Sequence, residues 1–223
     1  MAIPVLICGR TSTGKSYSMR NYAKFPLRLG IISAQSTKQL PFRADGEPAK
    51  VYFSDDYESI KKALYASKAK SIMIDDAGYL ITNYFMRNHR GGKGNQVYEL
   101  YNDIADRFWD LICFIGAGLP EDKIVYFTMH EDTDDNGNIE PKTIGKLLNE
   151  KVSIPGMLSI VFRSTIVDGQ YVFLTKNTTG RDIAKTPVGM FDTDAIDNDL
   201  LIIDNAIRTY YGLHNNNNIG DRT

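Results

Sequence analysis

The apolar run Ile3-Pro4-Val5-Leu6-Ile7-Cys8 leads directly into Gly9-Arg10-Thr11-Ser12-Thr13-Gly14-Lys15-Ser16, and this junction constrains the fold more than any other stretch. A short, continuous, β-branched run reads as a strand buried on both faces. The segment behind it fits G-x-x-x-x-G-K-[ST], a loop whose glycines let backbone N–H groups turn inward around phosphate oxygens at the start of a helix. A strand covered on both faces needs helices above and below its sheet, so the junction predicts an α/β fold. In this reading Gly9, Arg10, Thr11, Ser12, Thr13, Gly14, Lys15 and Ser16 cradle a nucleoside triphosphate. Lys15 would reach the β- and γ-phosphates, and the Ser16 hydroxyl would ligate Mg²⁺.

The pattern continues along the chain. Further strands are expected at 29–33, 50–53, 71–75 and 123–128, then a pair at 158–166 and 170–175. Helices are expected from Lys15 to Ala23, Tyr57 to Lys68, Val97 to Gly116 and Ala195 to Tyr211. In the longest of these, Leu100, Ile104, Phe108, Leu111 and Ile115 fall on one face. Asp168-Gly169 is a favoured two-residue turn, so the last strand pair should form a hairpin. The expected architecture is a mainly parallel sheet flanked by helices, with an antiparallel C-terminal hairpin. With 223 residues and no internal repeat, one domain over 1–212 suffices, followed by an asparagine-rich, disordered tail at 213–223.

Composition narrows the setting. A net charge of −1 excludes a globally basic coat for nucleic acid but leaves room for a local basic loop. Cys8 and Cys113 stand far apart with no metal-ligand spacing, and read as small buried apolar residues of a reducing cytoplasm. No stretch approaches the length of a membrane span, so a cytoplasmic protein without membrane contact is expected.

A second constellation lies in Ser71-Ile-Met-Ile-Asp75-Asp76, an apolar run ending in two carboxylates. Asp75 would hold the Mg²⁺ shell through water, opposite Ser16. Asp76, the next residue, is a candidate general base or a cap for the following turn. The polar end of Lys123-Ile-Val-Tyr-Phe-Thr128-Met-His130-Glu131 should lie beside the loop, because open α/β sheets bind ligands at strand C-termini. Thr128, His130 or Glu131 would there sense the γ-phosphate, unless the histidine sits exposed in a loop. Asp132-Thr-Asp134-Asp-Asn136-Gly137 imitates a calcium loop, but its twelfth position is Thr143, and a turn at Asn136-Gly137 is the better reading.

With these motifs in order, the chain resembles a RecA-like P-loop ATPase of the small phage-encoded type. Ile144-Gly-Lys146-Leu-Leu, Ser164-Thr-Ile-Val-Asp-Gly-Gln-Tyr-Val-Phe and Lys185-Thr-Pro-Val-Gly-Met190-Phe191 resemble the C-terminal half of phage nucleotide-binding proteins of single-strand annealing and recombination. The resemblance spans about residues 3 to 192. It implies a RecA-like core, ATP with Mg²⁺ as cofactors, and a role in phage DNA recombination, repair or replication in the host cytoplasm. One departure stands out: where such ATPases carry a catalytic Glu, the chain reads Ile31-Ile-Ser-Ala-Gln35-Ser-Thr37. Gln35 can position water but cannot take its proton, which leaves Asp76, with Lys15 and His130, as the catalytic candidates.

The resemblance also suggests partners. Arg87-Asn-His89-Arg90-Gly-Gly-Lys93-Gly is a glycine-rich basic loop flanked by Tyr84, Phe85 and Tyr98, and the corresponding loop of RecA-like proteins contacts single-stranded DNA. Arg87, Arg90 and Lys93 would neutralise phosphates while aromatics stack bases. Such ATPases often complete the site with a cation from the next protomer of a ring or filament. Arg181 and Lys185 are the candidates here, with Lys176 and Lys146 behind them. Two other functions fit the same motifs: a helicase-loader type of replication ATPase that acts on a protein partner, and a small-molecule kinase.

Overall fold

A computed structural model describes residues 1–25, 28–44, 47–90, 95–144 and 152–213. The first strand, β1 (Ile3–Gly9), lies in the middle of a mixed sheet. On one side it pairs in parallel with β7 (Ile124–Thr133), which pairs in parallel with β6 (Ser71–Asp75). β2 (Leu29–Ser33) and then the short β5 (Tyr52–Phe53) complete that half, both parallel. On its other side β1 pairs in parallel with β9 (Ile160–Val167). The antiparallel β10 (Gln170–Leu174) and β11 (Ala195–Asp197) follow at the edge. A two-stranded ribbon of β3 (Arg43–Ala44) and β4 (Glu47–Pro48) lies apart from this sheet. The structure is therefore α/β, with a mostly parallel sheet and antiparallel C-terminal strands.

Alternation along each strand divides the core into two layers. Leu6 and Cys8 of β1, with Ile72, Ile74, Val125 and Phe127, face α1 (Tyr57–Ala66), α2 (Gly78–Asn88) and α3 (Asn95–Gly118). Val5 and Ile7, with Met73, Tyr126 and Phe162, face Leu200, Ile203 and Ile207 of α4 (Leu200–Tyr210). The expected stripe on α3 is the face that packs, with Ile104, Phe108, Leu111 and Ile115 buried. α4 is fastened at the end of the sheet away from Gly9. The buried Asp204 carboxylate there accepts from Tyr22 Oη (2.9 Å), Tyr126 Oη (2.8 Å), Ser71 Oγ and Arg208 Nε (2.7 Å). Arg208 in turn donates to the carbonyls of Lys70 and Asp122.

Several expectations change. No α-helix follows the loop; two short 3₁₀ segments, Tyr17–Arg20 and Tyr22–Lys24, take its place. Serine, tyrosine and asparagine are weak helix formers, and Ser18 Oγ donates to the Lys15 carbonyl (2.7 Å), a local bond that competes with the helical ladder. The expected C-terminal helix gives its first turn to β11, whose backbone closes the edge on β10, and α4 starts only after Asp199 caps Leu201 N–H (2.9 Å). The basic segment does not begin as a loop. α2 runs through Arg87, because Leu80, Ile81, Tyr84 and Phe85 form a helical stripe against the core.

The two turn expectations hold. Asp168 and Gly169 both have positive φ (49° and 77°), as a two-residue hairpin turn requires. At Asn136-Gly137 the chain reverses from β7 into β8 (Ile139–Pro141). Asp134 Oδ1 accepts from the N–H groups of Asn136 (2.8 Å) and Asn138 (2.7 Å), so that carboxylate is engaged by its own turn. The segment that imitates a calcium loop is a hairpin. The last residues, 214–223, and Lys146 lie outside the described residues. Among the described residues no helix is long and apolar enough to cross a membrane.

Candidate functional site

The strand order brings the motif residues together. β7 lies between β1 and β6, so the C-terminal ends of three adjacent strands present Gly9, then Thr128 and His130, then Asp75 and Asp76 on one edge of the sheet. Gly9 is in register with His130. The tight packing around the loop explains its glycines in two different ways. At Gly14 φ is +96°, and an added Cβ would also meet Asn198 Oδ1 at 2.9 Å. At Gly9 space is the constraint, since a Cβ would fall 2.4 Å from the Ser164 carbonyl oxygen. Ser12 also takes a left-handed conformation, with φ 64°. β9 braces the loop from the far side, where Ser164 Oγ donates to the Thr13 carbonyl (2.6 Å) and accepts from Asn198 Nδ2 (3.1 Å).

Lys15 is buried, and its ammonium donates to the carbonyls of Gly9 and Arg10, both at 2.7 Å. Burial lowers its pKa, and the nearby Asp76 carboxylate opposes that shift. Ser16 Oγ donates to both oxygens of Asp75 at 2.9 and 3.0 Å, which joins the loop to the aspartate strand. Thr128 Oγ1 donates to Asp75 Oδ1 at 2.7 Å and accepts from the Asp76 N–H, also at 2.7 Å. Asp75 is 2 % exposed. Its pKa is raised, first by burial and then by the charge of Asp76, with the two hydroxyl bonds pulling the other way.

Asp76 turns left-handed (φ 55°), a conformation Asp tolerates better than most side chains. Its side chain does not cap α2. Oδ2 accepts from Lys38 Nζ at 2.7 Å, while the buried Oδ1 has no hydrogen-bond partner among the described residues and faces His130 Nε2 at 3.8 Å. His130 Nδ1 lies 3.4 Å from Lys15 Nζ. Its pKa is lowered, first by burial and then by Lys15, both of which favour the neutral ring. Lys15, Asp76 and His130, the three catalytic candidates, thus form one cluster. Lys38 joins them, although no spacing in the sequence marks it. Gln35 does not; its side-chain oxygen accepts from the Thr37 N–H (3.3 Å).

Glu131 is already engaged by a cation of β9. Arg163 holds it through a two-pronged ion pair, Nε and Nη2 each at 2.8 Å, and also reaches Asp182 at 2.7 Å. Arg10 lies 3.5 Å from the same carboxylate with most of its side chain in solvent. Arg181 is exposed, its guanidinium against Gly137. Lys185 is clipped to β9 by reciprocal backbone bonds with Val161, both 2.8 Å. An open pocket of about 790 Å³ lies between Arg10 and Thr11, the start of α2, and His130 to Thr133. In the basic segment Arg87 is paired with Asp55 (3.0 Å), Arg90 is exposed just beyond α2, and Lys93 lies outside the described residues. Cys8 is buried, and burial pushes its thiol up to about 12, as expected for an inert core residue, whereas Cys113, expected to be buried as well, is only half-buried.

The chemistry of the donor set fits a hard divalent cation. Ser16 and Asp75 offer only oxygen, at one place, beside a buried Asp76 oxygen that has no hydrogen-bond partner among the described residues. Among the described residues no group of three or more His, Cys, Asp or Glu side chains is arranged to hold a metal alone. Mg²⁺ sites at phosphates commonly use only one or two carboxylates and complete their shell with water and phosphate oxygens. Comparison with protein-family models finds no match, and comparison with curated proteins finds none either.

Proposed function

We propose that this chain is a Mg²⁺-dependent P-loop ATPase with a RecA-like core, acting on single-stranded DNA in phage recombination or annealing. The observation that carries the nucleotide reading is the bond from Ser16 Oγ to Asp75. It couples a phosphate-type loop to a strand-end carboxylate across an intervening strand, the coupling an NTP–metal site requires. ATP would displace the Gly9 and Arg10 carbonyls from Lys15, whose ammonium then pairs with the β- and γ-phosphates. Ser16 and Asp75 would hold the ion, which when bound would neutralise charge on those phosphates. Asp76 and His130 stand on the γ-phosphate side, where a water must be oriented, and Lys38 fixes the Asp76 carboxylate. Arg181 and Lys185 remain the candidates for a cation donated between protomers of a ring or filament.

The DNA reading rests on the family resemblance and on the basic segment. There Arg90 lies exposed among Phe85, His89 and Tyr101, beside a pocket of about 420 Å³. Arg87 contributes less, since Asp55 already neutralises it. The decisive experiment measures ATP binding, phosphate release and gel-filtration size, with and without single-stranded DNA, for the wild type and Lys15→Ala. Mg²⁺-dependent ATP binding that Lys15→Ala abolishes, with turnover or assembly responding to DNA, is expected. Absence of ATP binding in the wild type would sink the nucleotide reading, and retained ATP binding in Lys15→Ala would sink the loop assignment. A response only to a single-strand-binding or replication protein, and not to DNA, would favour the loader-type alternative.

A further inference from the structure

In the nucleotide reading a triphosphate would have a direction across the loop. Its γ end would meet the cluster of Lys15, Asp76 and His130, which lies towards β6 and β7. The α-phosphate and the nucleoside must therefore leave on the opposite side of β1, towards β9 and β10. The β9–β10 hairpin projects past the loop there. β9 pairs with β1 only as far as Arg163 opposite Cys8 and then continues to Val167.

Two aromatic side chains meet on that side. Tyr17 directly follows Ser16, and Tyr171 stands on β10 opposite Ile166 of β9. Their ring centroids are 6.4 Å apart with planes inclined by 52°. The two residues are 40 % and 44 % exposed, so neither is a core residue that happens to lie near the surface. Tyr17 is held in place from behind. The Arg20 guanidinium covers its ring at 4.5 Å from the centroid and is itself anchored on the Asn198 carbonyl at 2.6 Å. Asn198 N–H also donates to the Tyr171 carbonyl (3.3 Å), while the Asn198 side chain packs on Gly14. One buried asparagine thus ties the phosphate loop, the Tyr17 support and the Tyr171 strand into a single unit.

The geometry points to Tyr17 and Tyr171 as the platform on which the nucleobase of the bound nucleotide stacks, an assignment that rests on the nucleotide reading above. A flat base has a π-face that aromatic side chains bind independently of base identity. The platform lies on the side to which the loop directs the nucleoside. The test measures binding of AMP-PNP and of inorganic tripolyphosphate, each with Mg²⁺, by calorimetry on the wild type, Tyr17→Ala, Tyr17→Phe, Tyr171→Ala and Lys15→Ala. Losing one stacking face should weaken AMP-PNP roughly ten- to a hundredfold in each Tyr→Ala variant. Tripolyphosphate affinity should be unchanged in both, which also shows that the variants are folded. Tyr17→Phe keeps the ring and should bind AMP-PNP like the wild type. Wild-type AMP-PNP affinity in both alanine variants, with Lys15→Ala still defective, would overturn the platform while leaving the loop intact. Loss of both ligands in Tyr17→Ala would place that residue under the phosphates and overturn it too. Failure of the wild type to bind either ligand would overturn the nucleotide reading, and this one with it.

Discussion

Asp75→Asn separates what the carboxylate does for function from what it costs the fold. In the wild type a carboxyl group that is 2 % exposed has two hydroxyl donors, Ser16 and Thr128. Withdrawing one carboxylate from water costs several kcal/mol, and charge-assisted bonds return about 1.5–3 kcal/mol each. Asparagine keeps the shape and can accept from the same two hydroxyls as neutral bonds worth about 0.5–1.5 kcal/mol each. After the cost of burying the amide itself, the variant should be more stable by about 1–2 kcal/mol at neutral pH. For a chain of this size that raises the melting midpoint by about 2–8 °C. The pH dependence has a fixed sign. The folded-state pKa of Asp75 is raised above 3.8, so the destabilisation is complete above the raised value and relieved as pH falls through it towards 3.8. The gap between variant and wild type should close over that window. Meanwhile the Mg²⁺-dependent part of nucleotide affinity should fall about 10–100-fold, the usual effect of losing a group that orients a metal shell. Differential scanning calorimetry without ligand, across pH, and titration calorimetry with MgATP measure the two effects. An asparagine variant that melts below the wild type, or that melts higher yet keeps its full Mg²⁺ dependence, would refute the reasoning.

Other substitutions probe the rest of the framework. Gly9→Ala places a methyl group 2.4 Å from the Ser164 carbonyl oxygen; it should cost about 1–3 kcal/mol in urea unfolding and distort the loop enough to impair nucleotide binding, and unchanged values for both would contradict the close-packing argument. Lys38→Met removes the cation that holds Asp76 Oδ2. It should slow steady-state phosphate release about 10–100-fold with nucleotide affinity largely retained, whereas unchanged turnover would remove Asp76 from the chemistry. Asp204→Ala strips four donors of their acceptor and leaves Arg208 buried without its carboxylate. A loss of about 3–5 kcal/mol in chemical denaturation is expected, with nucleotide affinity unaffected because this cluster lies at the other end of the sheet; a loss below about 1 kcal/mol would show that α4 is anchored mainly by its apolar face.

Parts of the molecule whose physics is local are legible in the residues themselves. The glycine pattern behind an apolar strand, the carboxylates closing Ser71–Asp75, the stripe on α3 and the Asp168-Gly169 turn each follow from neighbours a few residues apart, and all appear in the structure. Local reasoning failed where a short segment had two options of similar energy. The stretch after the loop chose 3₁₀ turns, and Ala195–Asp197 chose the free edge of β10 over a first helical turn. The general habit of open α/β sheets put the Thr128–His130 strand end near the loop, but the full strand order depends on which strands neighbour one another across the whole sheet. That order placed β7 between the loop strand and the aspartate strand, and so brought Thr128 and His130 to the site. It also tied Glu131 to Arg163, Arg87 to Asp55 and Lys38 to Asp76, pairings between charges 32 to 38 residues apart. Only the tertiary structure could settle which charges meet. Chain entropy leaves distant side chains independent until the strands between them are fixed in register, and electrostatic partners are then chosen by position in space.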